Sequence, residues 1–217
     1  MSKGQYFSYG RTEIEYLQTK DKKLGEAMEK IGPIQREVYP ELFPALVKSI
    51  VGQQISTKAQ ETIWGRMQGR FQPLTPTILG KAALEDLQSC GISMRKATYI
   101  QAMAKGIDAD PGILQALPHL SDQEVCDELT KFKGVGIWTA EMLLIFSLQR
   151  PDVVSFGDLA IQRGMRMLYR HRAITPELFA KYRRRYSPYG TVASLYLWAI
   201  AGGAIPDLTD PAPRKKK

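Results

Sequence analysis

Residues 129–163 read LTKFKGVGIWTAEMLLIFSLQRPDVVSFGDLAIQR, and this stretch decides the fold. It begins with the end of one helix, turns at Gly134-Val135-Gly136, and continues as an apolar helix to about Phe146. The two glycines let the backbone turn tightly, with no Cβ between it and an approaching ligand. Amides at the start of the second helix are unpaired donors that suit a phosphate oxygen. The stretch therefore predicts a helical hairpin that binds a phosphate.

A single acid follows this hairpin at the start of the next predicted helix. A short extended run, residues 153–156, leads to Gly157 and Asp158. Aspartate is a favoured helix N-cap, and without the hairpin Asp158 would be interpreted as one. Because it follows a phosphate anchor at a fixed distance, it is also a candidate catalytic carboxylate.

These motifs resemble those of a known superfamily. The run KGVGIWTA, residues 133–140, resembles the helix-hairpin-helix of the base-excision DNA glycosylases, and Phe156-Gly157-Asp158 resembles the loop and catalytic acid of the same signature. Within that superfamily the chain is most similar to the 3-methyladenine DNA glycosylase II family, over roughly residues 43–198. The upstream run Gln53-Gln54-Ile55-Ser56 adds to the match.

Composition agrees with a nucleic-acid partner. The chain has 217 residues, enough for one large or two small domains, and a net charge of +8, which favours a polyanion. No apolar run approaches the roughly 20 residues of a membrane span, and no signal-peptide core follows the N-terminus. Cys90 and Cys126 are too few for the cysteine set of an iron–sulfur cluster. We expect a cytoplasmic, nucleoid-associated bacterial monomer without a membrane partner.

The spacing of apolar residues predicts an all-α fold, because helical periodicity recurs along the chain and strand signals are almost absent. We expect two helical lobes. Residues 42–148 form the lobe with the hairpin, and residues 1–41 pack with 149–217, which end in a disordered basic tail from Pro211. The resemblance implies that the active cleft lies between the lobes, with Asp158 at their boundary.

A polar junction follows the apolar helix of residues 42–51. Its amides, Gln53 and Gln54, could simply cap backbone groups. In the resembled family this loop fills the gap that a displaced nucleotide leaves in the duplex, so Gln54 and Ile55, with Gln53 beside them, are the candidate wedge. We call residues 53–55 the wedge loop. A second turn places Met94 and Arg95 where the superfamily touches the opposite strand.

The resemblance also implies a pocket for the flipped base. Trp138 and Trp198 match pocket aromatics of the family, although Trp198 would equally suit a hydrophobic core. An electron-rich indole face favours a cationic purine. Met142 stands where relatives often have a tyrosine, and Trp64 is assigned to the core.

The resemblance also implies which groups of the hairpin bind a phosphate and which bind a metal ion. The phosphate would be bound by Lys133 and by the amides of Gly134, Gly136 and Trp138. A monovalent structural ion, Na⁺ or K⁺, would be bound by the carbonyls of Thr130, Phe132 and Val135. No cofactor is expected for catalysis.

The expected reaction is hydrolysis of an N-glycosidic bond. An ionised Asp158 would stabilise the positive charge that develops on the sugar. Bifunctional members place a lysine nucleophile two residues after the second hairpin glycine, where this chain has Trp138. The resemblance therefore implies a monofunctional glycosylase without lyase activity. A cationic alkylated purine leaves without protonation, which fits a site with one acid and no evident proton donor.

Residues 163–185 carry eight Lys/Arg and one acid, Glu177. Such a run is often a solvated face, but beside the candidate site it favours phosphate attraction.

The leading hypothesis is a glycosylase that flips out and excises alkylated purines of the 3-methyladenine and 7-methylguanine type from duplex DNA, for base excision repair. The alternatives are a glycosylase for a deaminated or oxidised base and a non-catalytic DNA-binding module, which would need no acid at the position of Asp158.

Overall fold

The computed structural model describes residues 5–212, and α-helices dominate this range. It contains no strand, only an isolated antiparallel bridge between Tyr6 and Glu37. Residues 153–156 therefore form a loop without a pairing partner strand, and the all-α prediction is confirmed. The last part of the predicted basic tail, residues 213–217, lies outside the described residues. No helix between residues 5 and 212 has the length and apolarity that crossing a bilayer requires.

The helices of the described range, in chain order, are α1 (Arg11–Lys20), α2 (Lys22–Ile31), α3 (Leu42–Gly52), α4 (Thr57–Arg70), α5 (Pro76–Lys81), α6 (Leu84–Ser89), α7 (Met94–Ala109), α8 (Gly112–Ala116), α9 (Asp122–Thr130), α10 (Ile137–Phe146), α11 (Leu159–Tyr169), α12 (Pro176–Tyr186) and α13 (Gly190–Ala201). A 3₁₀ turn, Leu117–His119, follows α8. Polar side chains cap the starts of several of them. Ser121 and Glu124, for example, form a reciprocal capping box at the start of α9.

The chain divides into two compact units. The hairpin unit is Tyr39–Leu148, and the acid unit combines Met1–Val38 with Gln149–Lys217. The first boundary, predicted after residue 41, lies between Val38 and Tyr39.

The hairpin unit is organised around two apolar helices, α3 and α10. Leu46, Val47 and Ile50 of α3 are fully buried, and α10 is mostly apolar and buried at residues 142–145, whereas its first two residues are exposed. The backbone amide of Tyr39 donates to the carbonyl of Phe146, which fixes the start of the unit against the end of α10.

The acid unit is built on α13, whose residues are almost all buried. Helix α11 packs against it so closely that a Cβ on Gly164 would lie 2.2 Å from the carbonyl oxygen of Leu197. Asp152 fastens the start of α13, because its carboxylate accepts hydrogen bonds from the Ser187 hydroxyl at 2.6 Å and the Gly190 amide at 3.0 Å. These contacts hold the segment before α11, and therefore Asp158, on a rigid base.

Candidate active site and DNA interface

The predicted hairpin lies between α9 and α10. Gly134 has φ +93°, and a Cβ there would lie 2.4 Å from Cδ2 of the Tyr99 ring. The residue must therefore be glycine on two counts, backbone conformation and space. The Val135 amide donates to the Phe132 carbonyl at 3.0 Å and closes the turn. Gly136 is the N-cap of α10, is exposed, and has open space where a Cβ would be.

The hairpin presents unused donors at its tip. Within residues 5–212, the amides of Gly134 and Gly136 donate to no protein acceptor. Lys133 is exposed beside them, and Trp138 in the first turn of α10 retains 41% of its accessible surface. Available amides, a helix N-terminus and a lysine on one tip are suited to binding a phosphate.

Gln53, predicted beside the wedge residues, is bonded to the hairpin in the structure. Its side-chain amide donates to the carbonyl of Gly134 at 2.8 Å, and the residue is half-buried. The Gln53 side chain therefore links the wedge loop to the hairpin, and these two segments are adjacent in space although 81 positions separate the bonded residues.

Gln54 and Ile55 remain available as the wedge. Both are exposed, and Ile55 retains 38% of its accessible surface. Gln54 has φ +58°, a left-handed conformation that is rare for a residue with a side chain and is often found at functional sites. Ser56 follows as the N-cap of α4 and accepts from the Ala59 amide.

Met94 and Arg95, predicted in a turn before the helix, form the first turn of α7 itself. Ser93 is the N-cap, and its hydroxyl oxygen accepts the amide of Lys96 at 3.3 Å. Both side chains are exposed, and Met94 is 38% accessible. They are placed on a rigid element and remain accessible to a partner.

Asp158 caps α11. Its Oδ1 accepts the amides of Ala160 at 2.8 Å and Ile161 at 2.9 Å, and the residue is only 7% exposed. The preceding loop is fixed by Gln162, whose side chain donates to the Phe156 carbonyl at 2.6 Å. The two interpretations of Asp158, cap and catalytic acid, are therefore compatible, because the bonds that cap the helix also fix the carboxylate and stabilise its negative charge.

The candidate pocket residues differ in their surroundings. Trp138 is exposed in the hairpin unit, Trp198 is half-buried against the core of the acid unit, and Met142 is 8% exposed within α10. Trp64, assigned to the core, is half-buried and lines an open pocket of about 430 Å³ with Phe43 and Phe71. The assignment of Trp64 was wrong because apolarity alone does not separate core tryptophans from surface ones.

The family described as HhH-GPD superfamily base excision DNA repair protein matches residues 47–188, which include the wedge loop, the hairpin and Asp158. The chain belongs to this superfamily.

Named relatives place this superfamily member with the 3-methyladenine DNA glycosylases, as predicted. It is 33% identical to DNA-3-methyladenine glycosylase 1 of Schizosaccharomyces pombe over 185 residues, which cover 81% of this chain and 78% of that protein. It also resembles the crystal structure of DNA-3-methyladenine glycosidase from Bacillus halodurans, with TM-score 0.81, 35% identity and coverage of 94% and 95%. The S. pombe enzyme Mag1 in complex with abasic DNA gives TM-score 0.81 at 28% identity, with coverage of 92% and 100%.

The basic segment of this HhH-GPD protein is less uniform than the sequence suggested. Half of its eight cations are paired with acids of the acid unit, in the ion pairs Arg163–Asp210 at 3.9 Å, Arg166–Asp210 at 2.6 Å, Arg183–Asp152 at 3.2 Å and Arg185–Asp21 at 3.0 Å. The other four are exposed and have no ion pair within the described residues, and these are Arg170, Arg172, Lys181 and Arg184. The acids lie outside the segment in sequence, so a local charge count missed them.

Lys96 is a further functional candidate, which the sequence alone did not indicate. The ammonium of Lys96 donates to the carbonyls of Val51 at 2.8 Å and Gln53 at 2.7 Å, beneath the wedge loop of this glycosylase-superfamily chain. Burial, and after it the charge of Arg95, lowers the pKa of Lys96 below its ordinary value. A lysine in the first turn of a helix gives no sequence signal that its partners lie more than 40 positions upstream.

Proposed function

We propose that this protein is a monofunctional DNA glycosylase that hydrolyses the N-glycosidic bond of alkylated purines in duplex DNA and leaves an abasic site. The observation that carries the proposal is Asp158, a carboxylate held at the N-terminus of α11 in a chain that also has an open, superfamily-type hairpin. The names of the relatives, which are 3-methyladenine DNA glycosylases, support the substrate class.

The hairpin binds the DNA backbone in this proposal. The amides of Gly134 and Gly136, the first turn of α10 and Lys133 bind one phosphate near the damaged nucleotide. Gln54 and Ile55 enter the gap that the extruded nucleotide leaves, and the exposed first turn of α7 contacts the opposite strand. These contacts read DNA shape and carry no base sequence information.

Asp158 acts on the sugar. As the bond from C1′ to the purine nitrogen breaks, its electron pair leaves with the base and positive charge develops on the deoxyribose. The fixed carboxylate stabilises that charge, because its orientation is set by two backbone amides before the reaction begins. Water then forms the new bond to C1′ and loses a proton, giving free base and an abasic site.

The absence of a lyase step follows from residue types. The position where bifunctional relatives place a lysine nucleophile is Trp138, and an indole cannot form a Schiff base with the sugar. For a cationic purine an indole face is the best aromatic partner, and the exposed Trp138 is the candidate of the hairpin unit, as Trp198 is of the acid unit. Met142 is mostly buried and offers little surface to a base.

The carbonyls of Thr130, Phe132 and Val135 fit a monovalent cation by their chemistry. Carbonyl oxygens replace the hydration shell of Na⁺ or K⁺. The Phe132 carbonyl already accepts the Val135 amide and still has a second lone pair for an ion. Such an ion would add positive charge beside the phosphate and would take no part in bond cleavage.

We propose that the protein acts on damaged double-stranded DNA as a monomer, in the compartment that holds the chromosome.

The test uses DNA treated with a methylating agent. We expect the protein to release free 3-methyladenine and 7-methylguanine, measured by mass spectrometry, and to leave strands that break only after alkali or heat. Cleavage without that treatment would contradict the monofunctional assignment. Intact duplex binding with no base release would leave a DNA-binding module as the better interpretation.

A further inference from the structure

Three side chains support the loop that precedes α4, and all of them belong to the hairpin unit. Lys96 donates to the carbonyls of Val51 and Gln53, and Gln53 donates through its side chain to Gly134. Gln60 donates to the carbonyl of Lys48 at 2.9 Å, and a Cβ on Gly52 would lie 2.2 Å from its Nε2. We call Lys96 and Gln53 the loop clamp.

The position of the ammonium has a physical reason. Carbonyls at the C-terminal end of a helix have no partner within the helix and carry partial negative charge, so a cation there is favourable. The ammonium of Lys96 donates to such a carbonyl at Val51, and it also donates to the carbonyl of Gln53, the first residue after α3. Burial lowers the pKa of Lys96, and the hydrogen bonds from its ammonium to the two carbonyls, at 2.8 and 2.7 Å, act in the opposite direction and favour the charged form.

The clamp determines where the exposed residues of the wedge loop can lie. Gln54 is left-handed, a conformation that persists only where its neighbours fix it. On one side Gln53 is fixed at its carbonyl by Lys96 and at its side chain by Gly134. On the other side Ser56 begins α4 as its cap. The segment Gln54-Ile55 is therefore held in position by the fixed residues on both sides of it.

We propose that Lys96 and Gln53 are positioning residues that set the distance between the wedge loop and the phosphate-binding hairpin. The proposal rests on the proposed function, in which the loop enters the duplex while the hairpin binds a phosphate. Lys96 also follows Met94 and Arg95 on the same helical turn, so one rigid turn joins the opposite-strand contact to the loop. A loop that is not held at this distance would leave DNA bound but the nucleotide poorly flipped.

The experiment compares Lys96→Met and Gln53→Met with Lys105→Met as the matched control. Lys105 lies on the same helix, is exposed, and its ammonium donates to the side chain of Gln101 at 3.1 Å. Each protein is assayed by single-turnover base release, by fluorescence of 2-aminopurine placed beside the lesion, and by affinity for undamaged duplex. Hydrogen exchange of the amides of residues 51–56 is measured in the free proteins.

We expect release to fall about 10- to 100-fold in both clamp variants, since a displacement of roughly 1 Å in a positioning group has that effect. The fluorescence change should weaken, while affinity for undamaged duplex stays within about threefold because the phosphate contacts remain. Amides of residues 51–56 should exchange faster, and Lys105→Met should match the wild type in every assay. The double variant should lose less than the product of the single losses, because both side chains act on one loop.

Release and fluorescence equal to the wild type in both variants would overturn the proposal, as would equal losses in Lys105→Met. A lower melting temperature without a change in the fluorescence would assign the clamp to stability alone and would also overturn it. A wild-type protein that releases no base contradicts the proposed function instead. The exchange measurement distinguishes that case, because it detects the clamp without any substrate.

Discussion

Gly134 and the ring of Tyr99 are in such close contact that a single added methyl group would come within 2.4 Å of the ring. Tyr99 lies on α7 and Gly134 at the tip of the hairpin, so this contact seats the hairpin on a helix that precedes it by 35 positions, as their residue numbers show. The left-handed φ of Gly134 and the contact require the same residue type.

We therefore predict that Gly134→Ala destabilises the protein by about 1–3 kcal/mol, because both a strained backbone and a displaced ring result. Affinity for duplex DNA should fall with it, since the amides of the tip move. Urea unfolding and fluorescence anisotropy measure the two effects.

Gly136→Ala is the matched control for stability. Its φ is −93° and a Cβ there meets nothing within 4 Å, so alanine adds no strain and should cost only the preference of an N-cap for glycine over alanine, about 1 kcal/mol or less. Equal destabilisation by the two alanines would mean that the contact with Tyr99 is not what requires glycine at position 134.

Asp158→Asn should separate the two roles of the acid. Asparagine is as good an N-cap as aspartate, and its amide oxygen can accept the amides of Ala160 and Ile161. Stability and duplex affinity should therefore be retained, whereas base release should fall by about 10²-fold or more because the charge beside the sugar is removed.

Asp158→Ala completes the comparison. It removes the cap as well as the charge, so it should be about 1 kcal/mol less stable than Asp158→Asn while both are inactive. The measurements are single-turnover release and thermal unfolding. Wild-type release by either variant would remove the catalytic role, and identical stability of the two would remove the capping role.

The pair Arg166–Asp210 predicts a specific pH dependence of stability. The Arg166 guanidinium donates two hydrogen bonds to Asp210 and lowers the pKa of that carboxyl below its ordinary value. A lowered folded-state pKa means that the unfolded state binds the proton first as pH falls. The ion pair therefore makes its full contribution to the free energy of unfolding above the pKa of an unfolded-state aspartate, about 3.9. This contribution is lost as pH falls through the lower pKa that Asp210 has in the folded state.

Asp210→Asn should be about 1–2 kcal/mol less stable than the wild type near neutral pH, and the difference should close in acid. Urea unfolding of both proteins between neutral pH and a pH of about 3 measures this difference in unfolding free energy. The other carboxylates are the same in both proteins, so their contributions cancel. A difference that stays constant across this range would show that the charge of Asp210 does not contribute.

The all-α fold, the hairpin turn and the N-cap position of Asp158 followed from local sequence patterns, because glycines at a turn, N-caps and helical periodicity are determined within a few residues. The hydrogen bonds of Gln53 and Lys96 had no such signal, because an amide and an ammonium can donate to many partners and the fold brings distant carbonyls to them. Chemistry that depends on long-range pairing cannot be recovered from one sequence.

The basic segment shows the same limit and leads to the last prediction. Arg183 and Arg184 are neighbours on α12, but only Arg183 is paired, with the carboxylate of Asp152. Because exposed cations that bind phosphates release counterions, replacing all four unpaired cations with glutamine should lower the salt slope of duplex binding by up to about 0.9 for each phosphate that is no longer neutralised. Arg183→Gln is the control, and it should lower stability while leaving the slope unchanged. Fluorescence anisotropy across a salt series measures the slope of duplex binding for both variants. An equal decrease of slope in both would show that ion pairing in the free protein does not determine which cations bind DNA phosphates.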